Sequence, residues 1–165
     1  MPSRLELIFA GLEHQPVLAN LLELYIHDFS EFVTKDVGED GRFGYSKLAL
    51  YWSDSNRRPF LARFDDKWAG FALVNRESET QIWDMAEFFV LRGFRRRRIG
   101  TELAEAVWRR CPGIWQIRVM EHNAPARNFW RASIEGFTGK EAQSAKFEAD
   151  GMLWSLFWFE APTSQ

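Results

Sequence analysis

Residues 88–101 read Phe88-Phe89-Val90-Leu91-Arg92-Gly93-Phe94-Arg95-Arg96-Arg97-Arg98-Ile99-Gly100-Thr101. An apolar strand end runs into a basic loop, and the loop opens a helix with glycine in its first turn. The first amides of a helix have no intrahelical acceptor, and the aligned peptide dipoles favour an adjacent anion by about 0.3–1 kcal/mol. Such a start is a phosphate cradle. Flanking arginines add charge and fork-shaped donors, and Gly100 lets the backbone approach a diphosphate closely. Alone, the arginine run reads more readily as a solvated surface loop. The glycine pattern is weaker than a Walker loop, because no Gly-Lys-Ser or Gly-Lys-Thr is present, nor the glycine trio of a dinucleotide fold.

Upstream, Arg4–Ala10 reads as a short strand. Leu18, Leu21, Leu22, Tyr25, Ile26 and Phe29 follow the spacing of an amphipathic helix. The glycine- and acid-rich segment 37–44 is a loop, and Tyr45–Trp52 predicts a second short helix. Arg58–Phe64 and Lys67–Asn75 form a hairpin about Asp65-Asp66. Gln81–Leu91 is the next strand. Downstream, Ile99, Leu103, Ala106 and Val107 mark a helix stopped by Pro112-Gly113. A strand over 114–121 follows, then a helix opened by Pro125 and running through about Ser133. Lys140–Ala149 and Met152–Glu160 make a final hairpin about Asp150-Gly151. The order β-α-α-β-β-β-α-β-α-β-β predicts an α/β fold with a mixed, mostly antiparallel sheet. The helix between strands 81–91 and 114–121 makes a crossover, so that pair is parallel.

The chain has 165 residues, 46% of them apolar and 27% charged. That size favours a single domain over 1–165 with a real interior. Twenty-one basic against 23 acidic residues argues against a nucleic-acid partner. No run approaches the roughly 18 apolar residues of a membrane span, and the first residues lack the pattern of a signal peptide. The single cysteine, Cys111, excludes an internal disulfide and a cysteine-rich zinc site. His14, His27 and His122 lack metal-ligand spacing, so no metal is expected. A cytoplasmic setting follows as the default. The final strand's Trp154, Phe157, Trp158 and Phe159 read as core, with packing across a homodimer as the alternative.

A second motif, Asn123-Ala124-Pro125-Ala126-Arg127-Asn128-Phe129-Trp130, follows the 114–121 strand directly and opens the next helix. Asn123 suits an N-cap. Phe129 and Trp130 read either as core or as flanks of the ligand held one crossover away. Together the two motifs resemble the GNAT superfamily of acyl-CoA-dependent N-acetyltransferases. Its Gln/Arg-x-x-Gly-x-Gly/Ala pattern is matched by Arg95–Gly100, and its Asn-x-x-Ala-x-x-(Phe/Leu)-Tyr by Asn123, Ala126, Phe129 and Trp130. Three departures stand out. Arg98 replaces the first motif glycine, which predicts ordinary backbone dihedrals there. Trp130 replaces a tyrosine and has no titratable proton. The Gly-Phe ending comes late, at Gly136-Phe137.

The resemblance implies acetyl-CoA as co-substrate, lying between a splayed parallel strand pair. Phe89, Val90 and Leu91 would meet the pantetheine arm. The amides of Arg96, Arg97, Arg98, Ile99, Gly100 and Thr101 would hold the pyrophosphate, with Arg95 beside them. Asn123, Phe129 and Trp130 would lie along the arm. The acceptor would be a small-molecule or peptide amine. A lysine-like amine of pKa ~10.4 costs about 4.6 kcal/mol to deprotonate at pH 7, so a general base is the costly requirement. Glu87, interrupting an apolar strand, is the first candidate. Asp84 is expected on the opposite strand face, and His122 is a further candidate base. Asp28 and Glu31, one helical turn apart, form with Tyr25 a candidate amine site. Tyr25 and Tyr51 are the candidate substitute acids. A non-catalytic acyl-CoA sensor is the alternative to an enzyme.

Overall fold

Asp65 and Asp66 both adopt left-handed backbone, with φ of 49° and 62°, and Asp150-Gly151 does the same at 52° and 74°. Two consecutive positive φ values make the tight turn whose twist matches paired strands, so both hairpins form where the sequence places them. The computed structural model describes residues 4–163. Its strands are β1 (Leu5–Phe9), β2 (Arg57–Phe64), β3 (Lys67–Arg76), β4 (Trp83–Val90), β5 (Gly113–Met120), β6 (Gln143–Ala149) and β7 (Met152–Ala161). The helices are α1 (Gln15–Phe29), α2 (Ile99–Arg110) and α3 (Ala124–Thr138).

The strands form one seven-stranded sheet in the order β1-β2-β3-β4-β5-β7-β6, with β4 and β5 parallel and the other pairs antiparallel. α2 and α3 cover one face through Ile99, Leu103, Trp108, Trp130 and Ile134, packed against Trp115, Ile117 and Phe157. α1 covers part of the other face through Leu18, Leu21 and Leu22, against Leu61, Phe71, Leu73 and Phe89. Phe157 and Phe159 alternate into the α3-side core, whereas Trp158 points away and is 38% exposed. Among the described residues, no helix is long and apolar enough to cross a membrane.

The expected second helix is not formed. Tyr45 is irregular, Ser46-Lys47 is a turn, and Leu48–Trp52 is a single 3-10 segment. Leu48 and Tyr51 both enter the α1-side core. That three-residue spacing is the eclipsed repeat of a 3-10 helix, not the wider stripe of an α-helix. The helix opened by Pro125 is longer than expected. Ile134 and Phe137 continue the apolar face begun at Trp130, with the Phe137 ring 5.1 Å from Trp108. Gly139, left-handed at φ 70°, caps it. β6 begins at Gln143 rather than Lys140, and β4 at Trp83 rather than Gln81.

Candidate active site

The parallel ladder between β4 and β5 is two residues long. Trp83 pairs with Trp115 and Asp84 with Gln116, and nothing further pairs. The reason lies on the other edge of β4. Leu73 of β3 faces Glu87 while Val74 faces Met85, so Ala86 has no partner and forms a bulge. A bulge bends its strand and re-aims the side chains beyond it. From there the two strands separate around a cleft of about 700 Å³.

The bulge also corrects the expected facing of the carboxylates. Trp83 and Met85 before it, and Phe88 and Val90 after it, pack into the α2/α3-side core. Asp84 and Glu87 therefore share the α1 face, where Leu73 stands opposite Glu87. Asp84 Oδ2 accepts from Arg118 Nη2 at 2.9 Å, and its Oδ1 is buried with no partner among the described residues. Burial raises the Asp84 pKa against the pull of Arg118.

Glu87 sits among tyrosines. The Tyr45 hydroxyl donates to its Oε1 at 3.3 Å. Burial raises the Glu87 pKa, hydrogen bonding from Tyr25 and Tyr45 draws it back, and the Asp84 charge adds to the rise. The Tyr25 ring packs on Phe71 and Phe89, at 5.7 and 5.8 Å. Burial and the neighbouring Glu87 charge keep Tyr25 protonated well beyond the ordinary tyrosine range. Tyr51 donates to Asn75 Oδ1 at 2.8 Å, and burial pushes its pKa up to about 12. Glu87 is not itself on the cleft wall, but Tyr25 beside it is. Nothing along the chain marks Tyr45 as a partner of Glu87, because its segment reads as an ordinary short helix 42 residues away.

The basic loop departs from expectation in an informative way. Arg98, expected in ordinary dihedrals, is left-handed with φ 62° and ψ 7°, and Arg96 is left-handed with φ 64°. A left-handed residue followed by a right-handed one turns successive amides toward one point, making a concave anion nest. The amides of residues 96–101 donate to no backbone carbonyl among the described residues, whereas Glu102 N reaches Arg98 O at 2.9 Å. Arg96, Arg98, Gly100 and Thr101 line the cleft. Arg97 lies along a separate groove beside β1, and Ile99 is buried in the core. Left-handed backbone costs an arginine roughly 1–2 kcal/mol that glycine avoids. Arg98→Gly is therefore expected to raise the melting temperature, read by thermal denaturation; an unchanged or lower one would mean that contacts of the arginine side chain offset the strain.

Gly100 is also constrained by packing. A Cβ there would lie 3.2 Å from the Phe129 ring and 3.7 Å from Val90 Cγ2. The missing side chain seats Phe129 against α2, so the two motifs touch. Phe129 and Trp130 line the cleft, with Phe88 4.8 Å from the Trp130 centroid. Asn123 Oδ1 caps α3 by accepting from Ala126 N at 3.2 Å, and Asn123 also faces the cleft. Phe89 and Val90 form part of the wall. Leu91 donates its amide to Ala69 O at 2.8 Å, and Val90 O accepts from Arg95 Nε at 2.9 Å.

Of the candidate amine-binding residues, Tyr25, Asp28 and Glu31 all border the cleft. They do not share one helix face, because α1 ends at Phe29 and Glu31 lies in the following turn. Asp28 is occupied by two arginines: Arg92 Nη2 meets Oδ1 and Arg95 Nη2 meets Oδ2, each at 2.6 Å. Those hydrogen bonds and charges hold its pKa below the usual carboxylate value, against desolvation. The His122 ring lies 5.6 Å from Phe32, tilted by 57°. No group of three or more metal-ligating side chains occurs among the described residues.

Chemically, the cleft can take an elongated molecule. One end meets free amides and arginines suited to phosphate, and the walls are aromatic. Beside Tyr25 waits a carboxylate of raised proton affinity.

The model of the Acetyltransferase (GNAT) family matches residues 18–134. Comparison with curated proteins finds no match. Solved structures share the fold. A crystal structure of an acetyltransferase from Thermus thermophilus has TM-score 0.69 and 16% identity, covering 94% of this chain and 96% of that one. The ribosomal L7/L12 alpha-N-protein acetyltransferase in complex with coenzyme A has TM-score 0.66 and 16% identity, covering 97% and 96%. Spermidine N-acetyltransferase from Vibrio cholerae, in complex with CoA and spermine, has TM-score 0.67 and 11% identity, covering 96% of each chain.

Proposed function

The chain belongs to the GNAT acetyltransferase family, and on that premise we propose that it moves an acetyl group from acetyl-CoA to a primary amine by direct attack in a ternary complex. The observation that carries this reading is the parting of β4 and β5 after Asp84, which opens a cleft from the amides of 96–101 to the neighbourhood of Glu87. CoA supplies the activated thioester. The protein's part is to hold the diphosphate on the nest, lay the arm along Phe89, Phe129 and Trp130, and take up the amine's proton. The amine nitrogen attacks the thioester carbon, the carbon–sulfur bond breaks, and the proton passes to the Glu87 carboxylate through Tyr25 or a water beside it. The departing thiolate is the milder problem. With a thiol pKa of ~8.5 its protonation at pH 7 is worth about 2 kcal/mol; Trp130 has no proton to give, and the proton taken up by Glu87 returns to the sulfur through Tyr25 or the same water.

CoA in two structural neighbours, one of them also holding spermine, supports a CoA co-substrate and an amine acceptor, either small or carried on a protein. Calorimetry with CoA is expected to show one-site binding. Acetyl-CoA with an amine panel is expected to release free thiol. Binding without thiol release from any amine would favour the acyl-CoA sensor, for which Trp130 is the motive, and absence of binding would remove both readings.

A further inference from the structure

Asp28 stands in the last turn of α1, at the negative end of the helix dipole. The dipole disfavours a carboxylate there unless something else compensates it. Arg92 and Arg95 do so, each at 2.6 Å, across 64 and 67 residues of chain. The same Arg95 donates Nε to Val90 O at 2.9 Å, and its guanidinium carbon lies 5.7 Å from the Phe89 ring centroid. The Arg95 guanidinium thus ties three things together: the end of β4, the end of α1, and the start of the loop whose next residue is left-handed Arg96. Strained backbone of this kind persists only where its surroundings hold it.

We propose that Asp28 is a positioning residue for cofactor capture: acting through Arg95, it keeps the 92–98 loop in the shape that presents the amides of 96–101 before CoA arrives. This rests on the acetyl-CoA reading above. It also gives Asp28 a task other than holding the acceptor, and predicts that the two arginines on it are spent on the loop rather than on phosphate. Asp28→Asn, isosteric and able to accept from only one arginine, is expected to weaken CoA binding about threefold, and Asp28→Ala about tenfold, since loop preorganisation is lost. The loss falls on KM for acetyl-CoA, with kcat and KM for the amine held. In the double variant with Arg95→Ala, binding is expected to be no weaker than in Arg95→Ala alone, because both changes break one linkage.

Titration calorimetry on the four variants, with steady-state kinetics beside it, reads these outcomes. Unchanged or tighter CoA binding in Asp28→Ala would overturn the proposal, since it would mean that Asp28 merely competes with phosphate for the arginines. A rise confined to the amine KM, or fully additive losses in the double variant, would do the same. Failure of the unsubstituted protein to bind CoA would instead sink the acetyl-CoA reading.

Discussion

Glu87→Gln is expected to lower kcat/KM at pH 7 by about 100-fold, within the range a general base contributes, and to raise the melting temperature at the same pH. The two effects share one cause. Burial lifts the Glu87 pKa above its unfolded value. Below the unfolded pKa both states hold the proton and the group is neutral in its effect on folding. As pH rises through the folded pKa, the folded protein must carry a poorly solvated charge that the unfolded chain carries freely, so stability falls. Glutamine removes that cost together with the base. Tyr45→Phe tests the same electrostatics from the other side. It deletes a donor that favours the carboxylate, so the acid limb of the pH–kcat/KM profile should move to higher pH while the plateau is kept. Retained activity in Glu87→Gln, or an unmoved acid limb in Tyr45→Phe, would place the base elsewhere.

Gly70→Ala is expected to cost about 3 kcal/mol of stability, at the upper end of overpacking penalties, or roughly 6–12 °C of melting temperature for a chain of this size. A Cβ at Gly70 would lie 2.1 Å from the Phe89 carbonyl oxygen, a backbone atom that no rotamer change can move. Gly70 pairs with Val90 where β4 forms the cleft wall, so β3 and β4 must separate there. CoA binding should weaken along with stability. Thermal denaturation checks the first and calorimetry the second. A melting temperature within about 2 °C of the original would mean that the two strands give way locally at little cost.

Much of this molecule is legible along the chain. The hairpin turns at Asp65-Asp66 and Asp150-Gly151, the stop at Pro112-Gly113 and the stripe of α1 depend on neighbours a few residues apart, and each lies where its local chemistry places it. The order of elements, with a helix crossing over between strands β4 and β5, makes that pair parallel. The basic loop and the Asn123 segment carry the family resemblance for the same reason, since both are short local patterns. The left-handed backbone at Arg98 is not legible in this way, because intrinsic preference points away from it and only the packed loop enforces it. The Tyr45–Trp52 segment has a helix-like composition, yet burial of Leu48 and Tyr51 three residues apart selects the tighter turn.

Alternation along a strand cannot say where it breaks. The register of β3 against β4 sets the bulge at Ala86, and that single unpaired residue turns Asp84 and Glu87 to one face and starts the separation from β5. Likewise the charges of Asp28, Arg92 and Arg95 are plain in the chain, but their meeting is not, because more than sixty residues separate them and only the packing of α1 against the sheet brings them together. Short-range chemistry thus wrote the elements and the motif that resembles a phosphate cradle. Packing alone decided which side chains share the cleft, because the proximity of distant residues is a property of the assembled core.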